Sequence, residues 1–182
     1  MKKLKRRKAI GIDKIPNEFI IEGDTKLWNC LRKNFNIMLD LGELPQEWCE
    51  KRVKLLHKGS KKDELDNYRP ISFSSNISKV FTRVVANRLN DRMEMEDWLG
   101  QLQNGFRGKR STLDNLFVIT SIMEMAKKKK SKLFLSFIDL RKAYGTVNQD
   151  KLWVKLKEVG LNEKEINIIK LCTSRIEGKS TQ

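Results

Sequence analysis

The sequence predicts a helix-rich mixed chain in which helices alternate with a few strands. Long segments repeat apolar residues at helical spacing between capping residues and glycines. Two short runs, 52–57 and 133–139, have the length and apolar content of strands. The chain has 182 residues, 39% of them hydrophobic, with only three prolines and ten glycines. That is about one ordinary domain with enough apolar material for a core, and it excludes collagen-like or proline-rich low-complexity sequence.

The elements follow in order. Asp24 or Thr25 caps a helix whose apolar face is Leu27, Trp28, Leu31, Phe35, Met38 and Leu39, with Gly42 and Pro45 just past its end. Arg52–His57 is a strand, followed by a turn-rich stretch from Gly59 to Asn67. A second helix spans about Asn76 to Glu94, with Ile77, Val80, Phe81, Val84, Val85 and Leu89 on one side and Arg83, Arg88 and Arg92 largely on the other. Ser111 or Thr112 caps a third helix through Leu116, Ile119, Met123 and Ala126, ending in Lys127–Lys130. Leu133–Asp139 is expected to be a buried strand, apolar on both faces apart from Ser136. A helix from about Gln149 to Val159 closes on Gly160, and Asn162 with Glu165 forms a capping box for a last helix through Ile166, Ile169 and Leu171. The four tryptophans, well separated in sequence, suit core or rim positions better than a base-stacking platform.

Composition narrows the function classes. Lys and Arg number 38 against 23 Asp and Glu, a net charge of +15. The excess is +6 over residues 1–60 (14 against 8), +5 over 61–130 (14 against 9) and +4 over 131–182 (10 against 6). A basic surface spread along the whole chain suits contact with a polyanion. Cys30, Cys49 and Cys172 are far apart, which is expected of reduced thiols, and with the single His57 they do not make a zinc site of the usual spacing. No apolar run approaches the roughly 20 residues of a membrane span. Six of the first eight residues are basic with no apolar segment after them, which excludes a secretory signal. That arm is a nuclear address, a nucleic-acid contact or simply a solvated charge run. The expected location is intracellular, nuclear or cytoplasmic, and not secreted.

The strongest local signal for chemistry is Phe137-Ile138-Asp139-Leu140-Arg141-Lys142-Ala143-Tyr144. A carboxylate at the end of an apolar strand needs a partner, and Asp139 is well placed as an oxygen ligand for Mg²⁺. The alternative is that Asp139 ends the strand and caps the following turn. Asn67-Tyr68-Arg69-Pro70-Ile71-Ser72 puts an arginine in a tight turn after the loop Lys58-Gly-Ser-Lys-Lys62, where a guanidinium can clamp a phosphate. Gln103-Asn-Gly-Phe-Arg-Gly-Lys-Arg-Ser-Thr112 leads three cations into a helix N-terminus, and Gly11-Ile-Asp-Lys-Ile-Pro16 precedes the first helix. Taken singly, these three are explained as a turn, a basic loop and a helix approach.

Their order changes the weighing. Gly-x-Asp-x-Ile-Pro, Leu-Pro-x-x-Trp (Leu44–Trp48), Asn-Tyr-Arg-Pro-Ile-Ser, Gln-x-Gly-Phe-Arg-x-x-Arg-Ser-Thr and Phe-x-Asp-x-x-Lys-Ala-aromatic follow one another from about Gly11 to Leu171. This series resembles the reverse transcriptase of non-LTR retrotransposons. The resemblance implies an α+β fold: right-hand polymerase fingers plus a partial palm, helix-rich, with a small, incomplete antiparallel sheet. It divides the chain into a basic arm (1–10), a fingers-like subdomain (11–130) and a partial palm (131–182).

The resemblance also implies roles. Asp139 matches the first catalytic aspartate, a ligand of both Mg²⁺ ions, and Leu140 would lend its backbone carbonyl to the second. Tyr144 stands where the family has the aromatic residue beneath the incoming sugar. Arg69 and Lys58 match finger residues that hold the triphosphate, and Gln103, Arg107 and Arg110 belong to the finger motif near template and nucleotide. The implied partners are an RNA template, a DNA primer and dNTP, with no membrane. Nucleotide addition is an in-line displacement assisted by two metal ions and by cations that close over the substrate.

Two departures qualify these expectations. Gly145 stands where the family nearly always has a second acid, and the chain contains no Asp-Asp pair. The family's Ala-Asp-Asp hairpin and thumb are expected beyond Gln182 and its endonuclease is expected to be missing, with only about ten residues before the first motif, so the isolated polypeptide is expected to be inactive. The readings are a fragment of an RNA-directed DNA polymerase, a non-catalytic nucleic-acid-binding remnant, and a product with no stable fold.

Overall fold

The computed structural model describes residues 4–173 apart from 12, 50–51, 60, 65–66 and 141–142, and leaves aside the side chains of Cys49, Arg52, Arg69, Tyr144 and Gly145. The chain forms two compact units, Met1–Val85 with Lys155–Gln182, and Ala86–Val154.

In the first unit, α1 (Asn17–Ile21) leads into α2 (Thr25–Leu41). The Asp24 carboxylate accepts a hydrogen bond from the Leu27 amide at 2.8 Å and so satisfies one free donor of the first turn. Gly42, left-handed at φ 74°, ends the helix and donates from its amide to the Met38 carbonyl at 2.9 Å. α3 (Gln46–Cys49) is followed by β1 (Arg52–His57).

β1 pairs antiparallel with β2 (Tyr68–Phe73), in register from Arg52 opposite Phe73 to His57 opposite Tyr68. Here the structure corrects the sequence, which placed Asn67–Ser72 in a tight turn. Both strands of a two-stranded ladder are edges, the setting in which a strand tolerates a proline such as Pro70. The reversal lies earlier, where the Lys58 amide donates to the Asn67 carbonyl at 2.7 Å and the Tyr68 hydroxyl to the Lys62 carbonyl at 2.9 Å.

α4 (Asn76–Met95) starts at a clasp with the segment before α1. Asp13 accepts from the Asn76 amide at 3.0 Å, and the Asn76 side chain donates to the Ile15 carbonyl at 2.7 Å. Gly11 is required by this close approach: a Cβ there would lie 2.7 Å from the Ser74 carbonyl oxygen and 2.8 Å from the Asp13 carboxylate. The Gly-x-Asp-x-Ile-Pro motif thus caps a helix more than sixty residues away.

The core of this unit is built on Phe81, which is fully buried, with Ile20, Phe35, Val80 and Ile168 around it. Phe35 meets Phe81 edge-on at 5.3 Å between ring centroids, and Trp48 lies 5.6 Å from Phe81. α8 (Glu163–Thr173) starts with reciprocal Asn162 and Glu165 bonds of 2.9 Å each, the capping box expected from the sequence. It brings Ile168 to this core, and Lys164 and Asn167 donate to the Asp40 and Gly42 carbonyls at 2.8 Å, closing the C-terminus of α2.

The second unit contains α5 (Thr112–Lys128), α6 (Ala143–Thr146) and the start of α7 (Gln149–Glu158). Among the described residues, every buried apolar side chain belongs to the first unit. α5 buries none of its residues and exposes Leu113, Leu116, Phe117, Ile122 and Met123. The expected buried strand at Leu133–Asp139 is a second correction: residues 131–140 have no regular structure, and Phe134, Phe137 and Ile138 are more than 80% exposed. A strand needs a neighbour to receive its backbone hydrogen bonds and cover its faces. Among the described residues this segment has none.

Phe81→Ala removes the ring that α2, α3 and α4 share and should cost about 3–5 kcal/mol. The urea midpoint should fall with an unchanged slope. A loss below about 1 kcal/mol would show that the unit is not organised on this residue.

Candidate functional site

Asp139 follows the exposed apolar segment and is itself exposed, as is Leu140. Among the described residues its carboxylate has no hydrogen-bond or ion-pair partner, and it does not cap α6. The carboxylate and the Leu140 carbonyl are hard oxygen donors. They suit Mg²⁺, which takes one or two carboxylates and fills its octahedron with water and phosphate oxygens. Among the described residues no three His, Cys, Asp or Glu side chains come together around a metal position. The pair therefore fits as part of a metal site and does not complete one. Tyr144 and Gly145 lie in α6, with the Tyr144 side chain outside the described residues.

Gln103, Arg107 and Arg110 share the loop between α4 and α5. Arg107 is its anchor, with a side chain only 6% exposed. Its Nε and Nη2 donate to the two Glu94 carboxylate oxygens at 2.9 and 2.7 Å, and its Nη1 to the Gly100 carbonyl at 3.2 Å. This bidentate bond holds the Glu94 carboxyl below its usual range and raises the guanidinium in turn. Asp97, Phe106 and Lys109 have positive φ of 47°, 62° and 61°, a conformation that non-glycine residues adopt at a cost. The pairing of Arg107 with Glu94 holds this loop in shape. Nothing in the sequence signalled it, because thirteen residues separate the partners and no helical or strand spacing links them.

Around that anchor Gln103 and Arg110 are exposed, with only long contacts of 3.4 Å to the Gly105 carbonyl and to Gln101. At the α5 N-terminus the Ser111 amide donates to the Asp114 carboxylate at 2.6 Å, half of a capping box. In the first unit Lys58 follows β1 and is exposed, while Arg69 stands in β2 opposite Leu56 with its side chain outside the described residues. The structure thus groups Lys58 with Arg69 in one hairpin, and Gln103, Arg107 and Arg110 in one loop.

Residues 58–182 match the family model described as reverse transcriptase (RNA-dependent DNA polymerase). The chain belongs to this family. It is 32% identical over 160 residues to the "Probable RNA-directed DNA polymerase from transposon BS" of Drosophila melanogaster, covering 87% of this chain and 18% of that protein. It is 28% identical over 158 residues to the RNA-directed DNA polymerase from mobile element jockey of the same species, covering 86% of this chain and 17% of that one. A third relative is the retrovirus-related Pol polyprotein from type-1 retrotransposable element R2 of Popillia japonica, 26% identical over 140 residues, or 76% of this chain and 19% of the polyprotein. The chain therefore spans less than a fifth of the length of these curated relatives. The resemblance to reverse transcriptases of non-LTR retrotransposons holds, and all eight residues assigned roles on it lie within the family match.

The reverse transcriptase loop anchor has a testable pH dependence. A carboxylate whose folded pKa is depressed contributes stability above its unfolded value, near 4.5, and loses it as the pH falls through the folded value. The Arg107 Nε–H resonance should be displaced from the free-arginine position and protected from exchange at neutral pH, move toward the free position on acidification below 4.5, and lie at the free position at every pH in Glu94→Gln. A resonance indifferent to both changes would show that the pair does not hold the loop.

Proposed function

We propose that this chain is a segment of an RNA-directed DNA polymerase that presents nucleotide- and template-facing residues to an RNA template, a DNA primer and dNTP. The observation that carries this reading is the family match over residues 58–182, with Asp139 exposed and without a partner among the described residues, in the motif where the family has its first catalytic aspartate. In this reading Asp139 and the Leu140 carbonyl are metal ligands. Bound divalent cations, two Mg²⁺ in the complete enzyme, supply activation of the primer 3′-hydroxyl and neutralise charge developing on the phosphates. Lys58 and Arg69 hold the triphosphate, and Tyr144 lies beneath the sugar. Gln103 and Arg110 face template and nucleotide on a loop whose shape Arg107 fixes through Glu94. The arm before residue 11 precedes a fingers-like region to about residue 130, with a partial palm after it. The compartment is nuclear or cytoplasmic. No described helix is long and apolar enough to cross a membrane.

A second reading is a non-catalytic nucleic-acid-binding remnant, favoured by Gly145 standing where the family nearly always has a second acid. Both readings predict that the 182-residue chain binds an RNA–DNA hybrid with an affinity that falls steeply with salt. The polymerase reading further predicts that Mn²⁺, added with hybrid and dNTP, broadens the amide signals of Asp139 and Leu140, and that Asp139→Asn removes the broadening without changing hybrid affinity. Primer extension by the chain alone is expected to be absent, because one carboxylate does not hold two metal ions. Hybrid binding that is absent or indifferent to salt would sink both readings. Mn²⁺ broadening that survives Asp139→Asn would overturn the metal assignment.

A further inference from the structure

A pocket of about 270 Å³ opens in the first unit, lined by none of the residues assigned a role above. Four cations line it: Lys5 and Lys8 from the N-terminal arm, and Lys79 and Arg83, one turn apart on α4. Its inner wall holds two buried amides, Asn17 and Asn76. Among the described residues no carboxylate lines it.

The arm divides its cations in a specific way. Arg6 pairs with Glu22 at 2.6 Å, the Arg7 amide donates to Glu18 at 2.5 Å, and the Asn17 side chain donates to the Lys5 carbonyl at 2.8 Å. These bonds pin the arm to α1 and use Arg6 and the Arg7 backbone to do so. Lys5 and Lys8 are left facing the pocket, and among the described residues none of the four lining cations makes an ion pair. The Lys79 ammonium instead donates to the Asn76 side-chain oxygen at 3.1 Å, which ties a charged group to a fully buried amide.

Four like charges around one concavity repel each other unless an anion joins them. The ligand that suits this lining is a tetrahedral oxyanion with several acceptor oxygens, which ammonium and guanidinium donors can share. We propose that the pocket holds one backbone phosphate of a bound nucleic-acid strand. This makes the pinned arm and α4 an anchor for the strand, distinct from the triphosphate, metal and template positions proposed above. The net charge of +15 favours a polyanion over a small anion as the source of that phosphate. The inference rests on the nucleic-acid reading above.

The test uses the 182-residue chain, a fluorescent RNA–DNA hybrid, and anisotropy over a range of KCl concentrations. Removing one phosphate contact weakens binding irrespective of sequence and lowers the slope of log K against log salt by about 1. That result is expected for Lys79→Ala/Arg83→Ala and again for Lys5→Ala/Lys8→Ala, each with an unchanged thermal melt. Lys79→Arg should retain the wild-type slope. Inorganic phosphate should shift the side-chain amide signals of Asn17 and Asn76 and compete with the hybrid in the wild-type chain. Wild-type binding with slopes unchanged in both double variants would overturn the pocket and leave the nucleic-acid reading standing. Shifts with phosphate but no change in hybrid affinity would make this a free-phosphate site and overturn the strand assignment. A wild-type chain that does not bind the hybrid would remove the reading itself, and the anchor with it.

Discussion

The Phe81 ring is the constraint on which the first unit depends. α2 and α3 each bring an aromatic side chain, Phe35 and Trp48, against a residue of α4, so three segments distant in sequence share one contact. Ile20 of α1 and Ile168 of α8 complete the enclosure. Burial of these side chains supplies the bulk of the stabilisation, at roughly 25 cal/mol for each Å² of apolar surface removed from water. The Leu-Pro-x-x-Trp motif is therefore a packing device: Pro45 precedes the short helix that delivers Trp48 to the core.

Around that core, polar groups fix the geometry that apolar contact leaves open. Asn76 at the start of α4 donates from its backbone amide to the Asp13 carboxylate and from its side chain to the Ile15 carbonyl in the chain before α1, and it is buried, so a lost partner would leave a desolvated amide. The N-terminal arm is held separately, by the Arg6–Glu22 pair, the Arg7 amide on Glu18 and the Asn17 side chain on the Lys5 carbonyl, and its Lys5 and Lys8 join Lys79 and Arg83 of α4 around one pocket. The Gly-x-Asp-x-Ile-Pro motif is, in this structure, a backbone clasp.

What was legible in the sequence was local. α2, α4, α5, α7 and α8 announce themselves by helical period and by caps such as Asp24, Gly42, Asn162 and Gly160, whose geometry requires no distant residue. β1 was legible to the residue, from Arg52 to His57. β2 was not, because Asn67, Arg69 and Pro70 carry turn chemistry and only pairing with β1 overrides it. α1, α3 and α6 are too short to show a period. Asp139 was legible as a candidate because an acid after an apolar run is a local anomaly. The Glu94–Arg107 anchor and the arm–α4 pocket were not, because each joins residues that only the fold brings together.

The apolar segment before Asp139 shows the limit of local reading most sharply. Its composition is that of a strand, yet a strand is defined by its neighbour, and residues 131–140 have none among the described residues. The consequence reaches the chemistry. A carboxylate on an unsupported segment must lose conformational freedom when it ligates a metal ion. Cover for Phe134, Phe137 and Ile138 would lower that cost in advance. On the proposed reading of Asp139 as a metal ligand, metal affinity and burial of this segment are linked: any element that orders the segment would strengthen metal binding, and by the same factor metal binding would strengthen the docking of that element. The acid and the apolar run before it then act as one unit, in which the run decides how firmly the acid is held.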